Sequence, residues 1–211
     1  MVRLDPRSAQ TRAIALLRCR RRSILGVTGS PGAGKSTYAE SLVNGLMAAG
    51  HPVALVPMDG FHLAQSALVE RGLEAIKGAP PTFDVGGYVA LLRRLREPDG
   101  ETVWAPRFDR ELEDAIAACL PIPGEARLIV TEGNYLLLDQ GPWAAVRPLL
   151  DECWYLEIDP GVRRERLLAR HLMHGRSPAD AQLRTDGSDE ANAQLISGTR
   201  SRADAILMEA T

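Results

Sequence analysis

The chain has 211 residues, with 25 Lys+Arg against 27 Asp+Glu, a formal net charge of −2 and three cysteines. Apolar residues at 45% and charged residues at 25% are ordinary globular values, which excludes a disordered, collagen-like or coiled-coil chain. The near-neutral balance argues against a nucleic-acid binder, and the length suits one domain spanning 1–211 with its own core.

The cysteines at 19, 119 and 153 form no CxxC pair and leave one unpaired in any disulfide scheme, which fits a reducing cytoplasm. Charges at Arg3, Asp5, Arg7 and Arg12 leave no room for the apolar core of a signal peptide. The longest uncharged stretch, Ser41 to Met58, is broken by Gly and Pro, so no membrane span is expected. Of the 25 basic residues 23 are Arg, and only Lys35 and Lys77 are Lys. In so Arg-biased a chain, a retained Lys is a candidate for being needed as Lys.

Residues 8–20 read as an amphipathic helix with Ile14, Leu16 and Leu17 inward. Arg18, Arg20, Arg21 and Arg22 at its end read as a solvated C-terminal cap. Ser23–Thr28 is a short apolar run bounded by Gly, the pattern of a buried parallel strand, and a helix over 35–49 closes at Gly50. Further strands are expected at 52–57, 127–131, 153–158 and 205–208, with a helix over 160–174. The segment 60–126 has weaker strand signals and is expected to carry short helices such as 88–95 and an extra strand near 102–105. Alternating strands and helices imply a three-layer α/β/α domain with a mainly parallel sheet, whose ligands sit at the strand C-termini.

Gly29-Ser30-Pro31-Gly32-Ala33-Gly34-Lys35-Ser36 matches GxxxxGK[ST] directly after a strand and directly before a helix. Such a loop turns backbone N–H groups and the positive helix end toward phosphate oxygens. Lys35 can reach the β- and γ-phosphates, and the Ser36 hydroxyl can ligate Mg²⁺. Residues 29–37, ending at Thr37, therefore form the expected nucleotide site of a P-loop NTPase. A guanine-reading NKxD is excluded because Lys35 follows Gly34 and Lys77 follows Ile76, which favours ATP.

Phosphoryl transfer to an alcohol needs a metal at the phosphates and often a carboxylate to take the acceptor proton. Asp59 follows the second strand and Glu132 the third. Asp59 is assigned as general base, and Ser36 and Glu132, with Asp59 close by, as the metal side; Glu132 stands where a Walker-B Asp is usual. Acids also commonly cap the helix after a strand, which is the competing structural reading of both. Arg163, Arg166 and Arg170 share one helical face, and Arg176 follows where that helix should end. This basic lid could neutralise the transferring phosphoryl group, with Arg170 and Arg176 as its principal candidates; a solvated basic face is the alternative. His62, Arg107 and Arg110 are candidates for substrate contact, while Trp104, Tyr135 and Trp154 are expected in the core.

With these residues in hand, the chain resembles the P-loop kinases of the uridine kinase, phosphoribulokinase and type I pantothenate kinase group over roughly residues 24–208. Met58-Asp59-Gly60-Phe61-His62 is similar to that group's Asp-Gly-Phe segment, whose Asp is the catalytic acid-base residue. Thr131-Glu132-Gly133-Asn134 is similar to its third-strand Glu-Gly. Lys77-Gly78-Ala79-Pro80 and Phe83-Asp84 resemble a stretch of the pantothenate kinases. Arg170 to Arg176 resembles the uridine kinase lid, and 188–193 resembles a bacterial subgroup labelled fructose transport system kinases. Phe108 and Arg110 replace the Tyr and His of the pantothenate kinases, so the acceptor stays open.

The resemblance implies a substrate-binding insertion at 60–126, a lid at 160–187, ATP and Mg²⁺ as cofactors, and a pantothenate-, nucleoside- or sugar-like acceptor. It allows a homodimer and gives no nucleic-acid or membrane partner. The competing class is a nucleotide-dependent switch or assembly ATPase, which would hydrolyse slowly and ignore small alcohols.

Overall fold

The computed structural model describes residues 1–97 and 99–208. The chain runs β1 (Val2–Leu4), α1 (Pro6–Cys19), β2 (Ser23–Thr28), α2 (Lys35–Ala48), β3 (Val53–Pro57), α3 (Gln65–Glu70), α4 (Val85–Arg96), β4 (Val103–Asp109) and β5 (Asp114–Ile122). It continues through β6 (Leu128–Glu132), β7 (Glu152–Glu157), α5 (Pro160–Met173), α6 (Pro178–Arg184), α7 (Glu190–Ser197) and β8 (Ala205–Met208). Six strands form one parallel sheet in the order β1-β8-β7-β2-β6-β3, and β4 and β5 form a separate antiparallel pair.

The central strand β2 shows why this is a three-layer fold. All six of its residues are buried, and side chains alternate faces along a strand. Leu25 and Val27 join a core with α1 and α2, including Ala13, Leu17, Leu42 and Leu46. Ile24 faces the opposite core, with Tyr88, Leu92 and Leu95 of α4. A strand buried on both faces is apolar along its middle, as Ile24 to Val27 are, and the buried hydroxyls at its ends are satisfied, Ser23 donating to the Leu16 carbonyl (2.8 Å) and Thr28 to the Asn134 carbonyl (3.0 Å). Among the described residues no helix is long and apolar enough to cross a membrane. All three cysteines are free.

Several expectations need correction. Arg18, Arg20 and Arg21 are exposed, but Arg22 is 2% exposed and structural. Its guanidinium donates to the carbonyls of Ala126 (2.7 Å), Leu95 (3.3 Å), Pro123 (3.0 Å) and Gly124 (2.8 Å), binding the end of α4 to the entry of β6. Tyr135 and Trp154 are buried as expected, whereas Trp104 on β4 is 56% exposed. The extra strand is longer than expected and has a partner, and β1 adds a sheet edge.

Candidate active site

Strand register places the chemistry. Glu132, the last residue of β6, pairs with Val27 on one side and Pro57 on the other. The C-termini of β2, β6 and β3 therefore reach the same level, where the phosphate loop, Glu132 and the Met58–Phe61 turn carrying Asp59 meet. Gly133 makes this approach possible. A Cβ there would stand 2.6 Å from both Cβ and Sδ of Met58, a fully buried side chain.

The loop after β2 leads into α2 through Gly34, which takes the left-handed conformation at φ 88°. Pro31, Gly32, Lys35 and Ser36 line a cleft of about 220 Å³. Gly29, Ser30 and Ala33 are buried, while Thr37 is exposed and does not line the cleft. Gly32 rests on the lid helix, where a Cβ would meet Leu167 Cγ at 2.8 Å and the Arg163 carbonyl at 3.0 Å.

Lys35 is buried, its ammonium donating to the Ser30 carbonyl at 3.1 Å. Burial pulls this lysine below its ordinary range, with Glu132 and Asp59 opposing the shift. The Ser36 hydroxyl donates to the Glu132 carboxylate at 3.1 Å. Burial, and then the neighbouring Asp59, push the Glu132 carboxyl above its usual range, while Lys35 and the Ser36 bond pull it back. One buried base and two crowded carboxylates are an arrangement that a bound anion and cation would relieve.

Asp59 is half-buried and lines the cleft. His62 accompanies it there, its Nδ1 2.9 Å from the Asp59 carbonyl and its ring packed at a tilt on Phe83 (centroids 4.0 Å, 42°) and Phe108 (4.8 Å, 49°). Burial lowers the affinity of His62 for a proton against the pull of Asp59. A neutral ring donating from Nδ1 leaves Nε2 as an acceptor.

Arg110 lines the same cleft, while Arg107 is exposed on β4 and does not. A bulge between Ala105 and Arg107 resets the strand's alternation. Lys77, not assigned a site role from the sequence, is the pin of this wall. Its ammonium donates to Gln65 Oε1 (3.1 Å) and the Glu113 carbonyl (2.7 Å), stands 3.6 Å from the Glu113 carboxylate, and sits 5.6 Å from the Phe108 ring centre. Its rarity as a lysine was the available signal. Next to it, the Gly78 carbonyl accepts the Tyr135 hydroxyl at 2.5 Å.

The lid wall comes from α5 to α7. Arg170 and Arg176 both line the cleft, joined by His171, His174 and Arg184, which the sequence did not single out, and by Asp189 of the 188–193 segment. Arg166 Nη1 lies 3.6 Å from where a Cβ would stand on Gly34. Arg163 is buried and paired with Glu190, and Arg164 pairs with Asp186. His171 Nε2 meets Asp189 at 2.7 Å. These contacts join α5 to the 185–190 segment. Among the described residues no three or more His, Cys, Asp or Glu gather to hold a metal by themselves.

A phosphate loop on a parallel α/β sheet, facing two carboxylates and an arginine lid, defines a P-loop nucleotide-binding protein. Comparison with known proteins narrows this. A protein of Schizosaccharomyces pombe, provisionally named a uridine kinase, is 31% identical over 206 residues, covering 94% of this chain and 88% of its own. An ATP-dependent kinase-like protein of Aspergillus versicolor is 38% identical over 148 residues, 66% of this chain and 86% of its own. A crystal structure from Silicibacter sp. TM1040, provisionally described as a fructose transport system kinase, is 38% identical with a TM-score of 0.85, covering 94% of this chain and 97% of that one. Residues 6–64 also match the family described as methylmalonyl Co-A mutase-associated GTPase MeaB, a match that includes Asp59 and His62 and ends before Lys77 and Arg110. The chain belongs to the small-molecule P-loop kinases of the uridine kinase, pantothenate kinase and phosphoribulokinase group.

Proposed function

We propose that this kinase transfers the γ-phosphoryl group of MgATP to an alcohol of a small polar metabolite. The observation that supports the reading is that Asp59 lines one cleft together with the phosphate-loop residues Lys35 and Ser36 and with His62, Lys77 and Arg110 from separate segments. A nucleotide hydrolase has no need of a second, pinned wall beyond its carboxylate.

In this reading residues 29–36 hold the triphosphate, with Lys35 leaving the Ser30 carbonyl for phosphate oxygens. Mg²⁺ prefers oxygen ligands and is usually held by one or two carboxylates plus substrate phosphates, without a full protein cage. The Ser36 hydroxyl and the Glu132 carboxylate, already in contact, fit that requirement, and Asp59 adds negative charge beside them. The bound ion would neutralise charge on the β- and γ-phosphates. Asp59 accepts the acceptor's hydroxyl proton as its oxygen attacks phosphorus, and ADP leaves. Lys35, Arg170 and Arg176 stabilise the charge on the transferring group, and the lid excludes water.

The test is ADP release with MgATP across pantothenate, uridine, cytidine, nicotinamide riboside, ribulose 5-phosphate, glycerate and fructose. One compound raising turnover far above the water background supports the reading. The MeaB match favours a second reading, a nucleotide-driven switch, which predicts a flat panel and hydrolysis accelerated by a protein partner.

A further inference from the structure

The cleft's charges sort into two halves. Around the phosphate loop Lys35 and Arg170 share the field of Glu132 and Asp59, and Arg176 stands near Arg184. On the acceptor half Lys77 is matched by Glu113, and Asp189 is engaged by His171. Arg110 is left over. It lines the cleft yet makes no ion pair or hydrogen bond among the described residues, its charge reaching Glu132 only through space.

Arg110 is not a side chain on a loose loop. It sits in the turn between β4 and β5, where the Asp109 carboxylate accepts from the amides of Glu111 (2.9 Å) and Leu112 (3.0 Å). Lys77 grips the other end of that turn through Glu113. Arg184 lines the same cleft half-buried; burial and then the like charge of Arg176 disfavour its charge, while Asp189, Glu113 and Asp180 favour it, so the carboxylates nearby are already shared with other cations. Arg110 is exposed, and its guanidinium, carried into the cleft lining by that pinned turn and engaged by no carboxylate contact, is available to bind an anion. Phe83 and Phe108, packed on His62, line the same cleft as Arg110 and Asp59 and offer an apolar surface that suits a short carbon skeleton.

We infer that the acceptor is itself an acid: besides the hydroxyl presented to Asp59 it carries a carboxylate or phosphate that Arg110 binds. The inference rests on the kinase reading above and narrows the acceptor to anionic alcohols, setting aside neutral nucleosides and free sugars.

Matched pairs test it: glycerate against glycerol, pantothenate against pantothenyl alcohol, and ribulose 5-phosphate against ribulose. Both transfer and binding to the MgADP-loaded protein are measured, for the wild type and for Arg110→Gln and Arg110→Glu. The acidic member of one pair should be favoured about 10- to 100-fold, the range of one charge-assisted hydrogen-bonded contact. Arg110→Gln should remove that preference and Arg110→Glu reverse it, with MgADP affinity and melting temperature unchanged because Arg110 anchors nothing. Whether the carboxylate or the phosphate pair responds identifies the anion. Neutral members accepted equally well, or a preference that survives Arg110→Gln, would overturn the inference, as would failure of every acid to bind. Acids that bind through Arg110 without being phosphorylated would leave the anion site standing and remove the kinase reading instead.

Discussion

Gly133→Ala is the most telling single-atom perturbation of the site. Gly133 follows Glu132 and packs on Met58, which precedes Asp59, so one contact sets the spacing of the two carboxylates. The added Cβ would lie 2.6 Å from Met58 Cβ, an atom fixed to the backbone, and Met58 is 0% exposed and cannot swing away. Relief therefore requires the Met58–Phe61 turn to move by several tenths of an ångström or more. Overpacking of this kind costs about 1–3 kcal/mol, or roughly 2–12 °C in melting temperature for a chain of this size. Displacing a catalytic group by about 1 Å can cost on the order of 100-fold in rate. Thermal melts and steady-state turnover should show both losses, with ATP affinity changing far less because the phosphate loop is untouched. In a Met58→Ala background, Gly133→Ala should cost less than it does alone. Wild-type melting and turnover in Gly133→Ala would refute the argument that this contact positions Asp59.

Two further predictions concern charge in the interior. Arg22→Met should destabilise the fold by about 3 kcal/mol, because two buried carbonyls and two part-buried ones lose a shared donor; urea denaturation should show it, and nucleotide affinity should not change. Nucleotide binding should move protons in opposite directions at the two ends of the pH range. Burial holds Lys35 below its ordinary range, so triphosphate binding near about pH 9 should take up a proton. Burial and Asp59 hold Glu132 above its ordinary range, so binding of the metal-nucleotide near about pH 6 should release one. Calorimetry in buffers of different ionisation enthalpy measures both, and heats that do not depend on buffer at either pH would contradict the assigned shifts.

What could be read from the sequence followed from how each part is built. The phosphate loop is contiguous and its spacing is its geometry, so Gly29 to Ser36 was readable directly. β2, β6 and β8 each carry a run of consecutive buried apolar residues, Ile24 to Val27, Leu128 to Val130 and Ala205 to Leu207, which shows in the sequence without alternation. The β4–β5 hairpin was not legible as a pair. Its turn places Glu113 at φ 53° with no glycine or asparagine to mark it, and Arg110 lies in that turn just past the end of β4 at Asp109, where strand alternation does not place a side chain. Arg22 was misread because one run of arginines looks the same whether its last member points to water or to four carbonyls. The acceptor wall joins Lys77, Phe83 and Phe108 from separate segments, a juxtaposition that no local pattern encodes.

The central claim is that Asp59 takes the acceptor's proton in phosphoryl transfer. The direct measurement is single-turnover transfer from γ-labelled MgATP by wild type and Asp59→Asn, with nucleotide affinity determined on the same preparations. The account predicts a loss of about 10²–10⁴-fold in transfer, the usual contribution of a general base, with ATP affinity nearly intact. Transfer by Asp59→Asn at the wild-type rate would contradict it.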